Sequence, residues 1–159
     1  MKSEEFAKHV SLVKPKLYRI ALLYLGNERL AKEAVAEAEY KAFISLKKLH
    51  QPEHFETWLT RILISECKKT SHRLKQKMPY KSTHKPSTKD FNVLPLKEAI
   101  QKLPNELKEV VILRYFSDFS VSQTAQSLDI PQDTVTTRQS RALQLLDLEL
   151  LQLIKPELI

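Results

Sequence analysis

The side chains best placed to do chemistry lie in the segment SVSQTAQSLDIPQDTVTTRQSR, from Ser120 to Arg141. Gln132, Thr134, Thr136, Thr137, Arg138 and Arg141 carry the amides, hydroxyls and guanidiniums that hydrogen-bond base edges and phosphates when one helix presents them. The spacing around them is that of a helix-turn-helix. Ser120 and Gln123 form a capping box that opens a short helix. Ala125 is small where two helices must cross, and Asp129, four residues on, tolerates a left-handed turn. Pro131 opens the next helix, and Val135, ten residues beyond Ala125, anchors it in the core. An ordinary pair of packed helices produces the same Ala, turn and Val spacing.

Other residue types exclude whole classes of chemistry. Cys67 is the only cysteine and the five histidines are scattered, so no internal disulfide or metal site can be assembled. Cys67 reads as a small buried hydrophobe. Glu33 and Glu37 share a helix face but have no partner base, and suit a recognition surface better than acid–base catalysis. Gly26 is the only glycine, too few for a phosphate-cradling loop. No enzyme activity, cofactor or small-molecule substrate is expected.

The same scarcity of glycine argues against hairpins and bulges and for an all-α chain. Phe6, Val10, Val13, Leu17, Ile20 and Leu23 recur at helical steps until Gly26 and Asn27. Asn27 then caps a second helix carrying Leu30, Ala34, Val35, Ala38, Ala42, Leu46 and Leu49, expected to run to about His50. Pro52 suits the first turn of a third helix, whose apolar face is Phe55, Trp58, Leu59, Ile62, Leu63 and Cys67. Trp58 lies on that stripe and reads first as a core residue.

Periodicity stops from Gln76 to Pro95, where Pro79, Pro86 and Pro95 mix with serines, threonines and lysines as in a flexible linker. It returns at Leu96, Ala99, Ile100 and Leu103, breaks at Pro104 and resumes as Leu107, Val110, Val111 and Tyr115. The expected organisation is therefore two small helical domains, residues 1–75 and 96–159, joined by a linker at 76–95.

Net charge is +7 over 159 residues, and it is unevenly placed. From Lys68 to Lys89 there are eight basic residues and no acidic one, which suits a polyanion or merely a solvated linker. Residues 96–159 hold 7 basic and 9 acidic residues, little positive field for a lone DNA binder. No N-terminal apolar run reaches the length of a signal segment or membrane span. A soluble cytoplasmic protein without direct membrane insertion is expected.

The stretch LPNELKEVVILRYFSDFSVSQTAQSLDIPQDTVTTRQSRALQLL, Leu103 to Leu146, resembles the fourth conserved region of extracytoplasmic-function sigma factors. LYRIALLYLGNERLAKEAVAEAEYKAF, Leu17 to Phe43, and FETWLTRILISECKKTSHR, Phe55 to Arg73, resemble the second region, in the family's order. The resemblance implies a factor that binds core RNA polymerase, through the β′ clamp helices and the β flap, and directs promoter recognition and transcription initiation. It implies that Glu33, Glu37, Tyr40 and Lys41 dock on the clamp helices. His50, Phe55, Thr57, Trp58, Arg61, Lys68, Lys69 and Arg73 would bind and melt the minus-ten element, since aromatic and basic side chains suit captured single strands. The second helix of the helix-turn-helix would read the minus-thirty-five element. An anti-sigma protein is implied as a further partner.

The chain departs from the family pattern in places. Ala36 stands where the clamp-binding helix usually has glutamine, and Glu39 replaces a typical aromatic. Asp129 and Asp133 occupy positions where glycine is common. These departures leave a second reading open: a stand-alone helix-turn-helix regulator, or a degenerate sigma-like protein.

Overall fold

A computed structural model describes residues 1–77 and 94–154. Among them are seven α-helices: α1 (Ser3–Leu25), α2 (Glu28–Ile44), α3 (Phe55–Lys77), α4 (Leu94–Lys102), α5 (Asn105–Val111), α6 (Val121–Leu128) and α7 (Gln132–Ile154), with no strand among the described residues. Most of the expected linker, with Lys81, Lys85 and Lys89, lies outside the described residues.

The first two helices meet at the glycine. Gly26 takes φ 70°, and its N–H bonds the Leu22 carbonyl, ending α1 in the left-handed cap that glycine adopts without Cβ strain. Asn27 Oδ1 accepts from Leu30 N at 2.9 Å and starts α2. Helix α2 stops at Ile44, more than a turn before the end near His50 that the periodicity suggests. The Ser45 N–H is shared between Lys41 and Ala42 carbonyls, and the chain tightens into a 3₁₀ turn over Leu46–Lys48. Pro52 opens a second such turn that leads into α3.

Helices α1, α2 and α3 pack in a bundle whose seam holds Leu17, Ile20, Ala31, Ala34, Ala38, Leu59 and Leu63, all buried. The alanines of α2 allow that close approach. Helix α5 continues as a wider π turn over Ile112–Phe116, and Ser117 Oγ donates to the Ile112 carbonyl at 3.1 Å where it ends. Asp118 follows in the left-handed region at φ 56°.

The two helical domains share buried contacts. One buried cluster runs from Phe6 through Cys67 to Ala99, Ile100, Leu113, Phe119 and Leu146, and α3 packs directly against α6 while α1 meets α4. A smaller cluster of Val110, Ala125 and Val135, with Val121, Leu128 and Ile130 around it, belongs to the helix-turn-helix alone.

Candidate nucleic-acid interface

The helix-turn-helix is built as its spacing requires. Ser120 Oγ accepts from Gln123 N at 3.0 Å, and Gln123 Oε1 accepts from Ser120 N at 2.9 Å, closing the capping box on α6. Asp129 ends α6 at φ 57° and ψ 48°, and Ile130 N bonds back to the Ala125 carbonyl at 3.1 Å. Val135 is fully buried against Ala125 and Val110. That contact fixes the orientation of α7 and turns its opposite side outward.

Gln132, Thr136, Thr137 and Arg141 are exposed on α7, and Thr134 and Arg138 are half-buried. Thr136 and Thr137 both donate their hydroxyls to the Asp133 carbonyl, at 3.0 and 2.9 Å. They therefore offer lone pairs and methyls outward more readily than a donor. Arg114 braces the motif from below, donating to Gln139 Oε1 at 2.8 Å and to the Phe119 carbonyl at 2.6 Å.

The residues expected at the minus-ten element divide into two groups. His50, Trp58 and Arg61 line an open cleft of about 500 Å³ with His54, Gln126 and Asp129. Lys68, Lys69 and Arg73 are exposed farther along α3. Thr57 lines the same cleft, and Phe55 does not. Phe55 is 3% exposed and packs edge-on against Phe6, with ring centroids 5.8 Å apart. Thr57 is buried too, its hydroxyl donated to the His54 carbonyl at 3.1 Å in the first turn of α3. Phe55 is a structural residue of the bundle, and the tilted Trp58 ring beside it is only partly covered.

Helix α2 presents Glu33, Glu37 and Tyr40. Glu33 accepts from Arg29 at 3.1 Å, and Tyr40 is 60% exposed beside exposed Phe43 and Ile44. Lys41 is tied inward, with Nζ at 2.6 and 2.9 Å from the two oxygens of buried Glu66, and that bonding raises its pKa. Glu39 pairs with Lys14 at 3.5 Å. Glu33, Glu37, Lys41 and Glu66 rim a groove between α2 and α3 of about 570 Å³ that also takes in Lys69 and Arg73.

The sequence reading missed the residues that join the two halves. Arg61 Nη2 lies 2.7 Å from Asp129 Oδ2, so a residue of α3 meets the turn of the helix-turn-helix. Lys68 Nζ is 3.2 Å from Glu109 Oε2, a carboxylate 2% exposed; burial pushes its pKa up, and Lys68 and Arg138 oppose that. Lys108 is buried beside it, and desolvation pulls its ammonium down to about 8. Lys16 lies 4.9 Å from the centre of the Phe119 ring. The only signal was the position of Lys108 and Glu109 inside the apolar run from Leu107 to Leu113, against the strong tendency of charged residues to be exposed.

Among the described residues no group of histidine, cysteine or carboxylate side chains is arranged to hold a metal ion, and no helix is long and apolar enough to cross a membrane.

Comparison with known proteins places both halves. The family model for Sigma-70 region 2 matches residues 9–77, and that for Sigma-70, region 4 matches residues 94–146. RNA polymerase sigma factor SigV of Bacillus subtilis is 29% identical over 142 residues, covering 86% of each chain. ECF RNA polymerase sigma factor SigW of the same organism is 27% identical, covering 87% of this chain and 84% of its own. Among solved structures, the sigma factor RpoE in complex with the anti-sigma factor NepR from Bartonella quintana superposes with a TM-score of 0.77 at 22% identity, over 96% of this chain and 99% of that one. CnrH in complex with the cytosolic domain of CnrY gives 0.74 at 18%, over 92% and 87%. A capped helix-turn-helix in a region 4 match, carried with a region 2 bundle in a chain similar to these sigma factors along most of its length, makes this chain a member of the extracytoplasmic-function RNA polymerase sigma factors, which directs promoter recognition in transcription initiation.

Proposed function

We propose that region 2, residues 1–75, joins core polymerase and opens the minus-ten element, and that region 4, residues 96–159, reads the minus-thirty-five element. The observation that carries this division is the outward row Gln132, Thr136, Thr137 and Arg141 on a helix whose inner side is pinned by Val135. Helix α2 supplies the polymerase contact through Glu33, Glu37 and Tyr40, with Lys41 acting from its pair with Glu66. His50, Trp58, Arg61, Lys68, Lys69 and Arg73 supply the cationic and aromatic surface for the melted strand. The chain is not an enzyme; the polymerase does the chemistry. It acts in the cytoplasm. Because the structurally similar RpoE is held in complex with the anti-sigma factor NepR, an anti-sigma protein is the partner expected to keep this chain inactive.

The test is transcription in a purified system, with core polymerase of the same species and genomic fragments, mapping new start sites. Specific starts that disappear in Thr137→Ala/Arg138→Ala support the reading. The divergent Ala36 and Glu39 of α2 favour one alternative, a stand-alone regulator; tight duplex binding without any start sites would select it.

A further inference from the structure

Beside the cleft that holds Trp58 lies a second hollow, of about 550 Å³. It forms where the end of α2 and the 3₁₀ turn after it meet the start of α1, and Phe43, Ile44, Leu46, Leu49, Lys2 and Lys47 are among the residues that line it. Leu49 also lines the Trp58 cleft, so the two adjoin on one surface. A row of rings runs beneath them, with centroids 5.6 Å apart from Phe43 to Phe6, 5.8 Å from Phe6 to Phe55 and 6.0 Å from Phe55 to Trp58. The inner two rings are buried. The outer two are open to solvent, Trp58 partly in the cleft and Phe43, 49% exposed, in the hollow. Close packing of the buried pair holds the open pair in place.

The lining of the hollow selects its occupant. No carboxylate is part of it among the described residues, whereas Glu33, Glu37 and Glu66 line the groove between α2 and α3. Lys2 and Lys47 line the hollow, and Lys48 is exposed next to Lys47. An open aromatic face on an apolar floor, with ammonium groups around it, suits an unpaired base that stacks and phosphates that meet cations. We propose that this hollow is a second base-binding site: the single strand held at Trp58 continues past Leu49, stacks an unpaired base on Phe43 and sets its phosphates on Lys2 and Lys47. The occupant is unpaired promoter DNA adjoining the minus-ten element. The site rests on the minus-ten assignment under the proposed function and extends the single-strand footprint beyond that element.

The test uses the full chain with core polymerase of the same species and fluorescent single-stranded oligonucleotides from a promoter whose start has been mapped. One holds the minus-ten element alone. Others extend it by several nucleotides on either side, with an abasic residue moved through the extension one position at a time. The wild-type complex should bind an extended oligonucleotide about tenfold more tightly than the element alone, and an abasic residue at one or two positions should remove that gain. Phe43→Leu, which keeps an apolar side chain against Phe6 but loses the flat face, should lose the gain and bind the element alone as wild type does. Trp58→Ala should weaken binding of both. Lys2→Gln with Lys47→Gln should make the salt slope for the extended oligonucleotide shallower by about 1.4, the value for two single-strand phosphate contacts. No gain on extension, a gain that Phe43→Leu retains, or a salt slope that the lysine changes leave unaltered overturns the second site. Weaker binding of Phe43→Leu to core polymerase in the absence of DNA also overturns it and gives the patch to a protein contact. Failure of the wild-type complex to bind the minus-ten element at all is a different result: it overturns the proposed function, and the second site with it.

Discussion

Lys108 and Tyr24 make a double contact across the two halves: the ammonium lies 3.3 Å from the Tyr24 carbonyl and 5.0 Å from the centre of the same residue's ring. A lysine in that position satisfies a helix end and a π face at once, at the cost of losing its water. Tyr24 is itself buried, which raises its phenol pKa.

The desolvation has a signed consequence. Lys108 titrates near 8 and not at its ordinary 10.5, so the folded chain holds that proton less tightly than the unfolded one. The stability it contributes is fully present above the ordinary value and is lost as pH falls through about 8. Relative to Lys108→Met, which has no proton to lose, the wild-type chain should gain about 2 kcal/mol in urea unfolding between pH 7 and about 9.5. Cys67 and Tyr24 shift the opposite way, but both proteins carry them and the difference removes them. A difference that stays flat would mean Lys108 titrates as a solvated lysine.

Gly26 and Gln101 should be coupled energetically. Gly26→Ala places a Cβ at φ 70° and against the Gln101 side chain, and should destabilise by about 1–2 kcal/mol. In a Gln101→Ala background the packing part of that loss should vanish and the backbone part remain. A double-mutant cycle by denaturant unfolding reads the coupling, and strict additivity would place Gln101 elsewhere.

Phe55 and Trp58 adjoin on α3 yet should respond differently. Phe55→Ala removes a ring from the core and should lose about 3–5 kcal/mol. Trp58→Ala, at a partly open cleft, should lose less stability and should be the one that weakens binding to a single-stranded minus-ten oligonucleotide in the presence of core polymerase. Equal stability losses with no binding effect from Trp58→Ala would make both purely structural.

Cys67 should be inert while the chain is folded. Its thiol is fully covered and burial pushes it up to about 12, so alkylation by iodoacetamide at pH 8 should run at least about a hundredfold slower than in urea. Mass spectrometry of the single labelled peptide follows it. Labelling at the unfolded rate would show that α3 opens freely.

What was legible in the sequence was whatever local physics determines. The capping box at Ser120, the left-handed Asp129, the Asn27 cap and the Gly26 stop each depend on a few neighbouring residues, and the structure has all four. Cys67 is buried as its type predicts, and His9, His50, His54 and His72 are exposed. The end of α2 was misplaced because Leu46 and Leu49 continue a helical period that the sharing of the Ser45 N–H breaks. Phe55 was placed on the candidate nucleic-acid surface by resemblance, which does not say which side of α3 faces the bundle. The contact between the halves was out of reach for a different reason. Lys108, Glu109 and Gln101 look like surface residues until something tens of residues away covers them, and no periodicity encodes that.

The two ion pairs between the halves bear on how salt acts on this protein. Asp129 on Arg61 and Glu109 on Lys68 occupy cations that, on the reading proposed, otherwise meet phosphates. Region 4 then behaves as a tethered counterion. Added salt weakens promoter contacts by competing for the same cations, but it also screens the exposed Asp129 pair and frees region 2 to bind. The two effects oppose each other, and the salt slope of DNA binding by the free chain should be shallower than the number of its phosphate contacts alone would set.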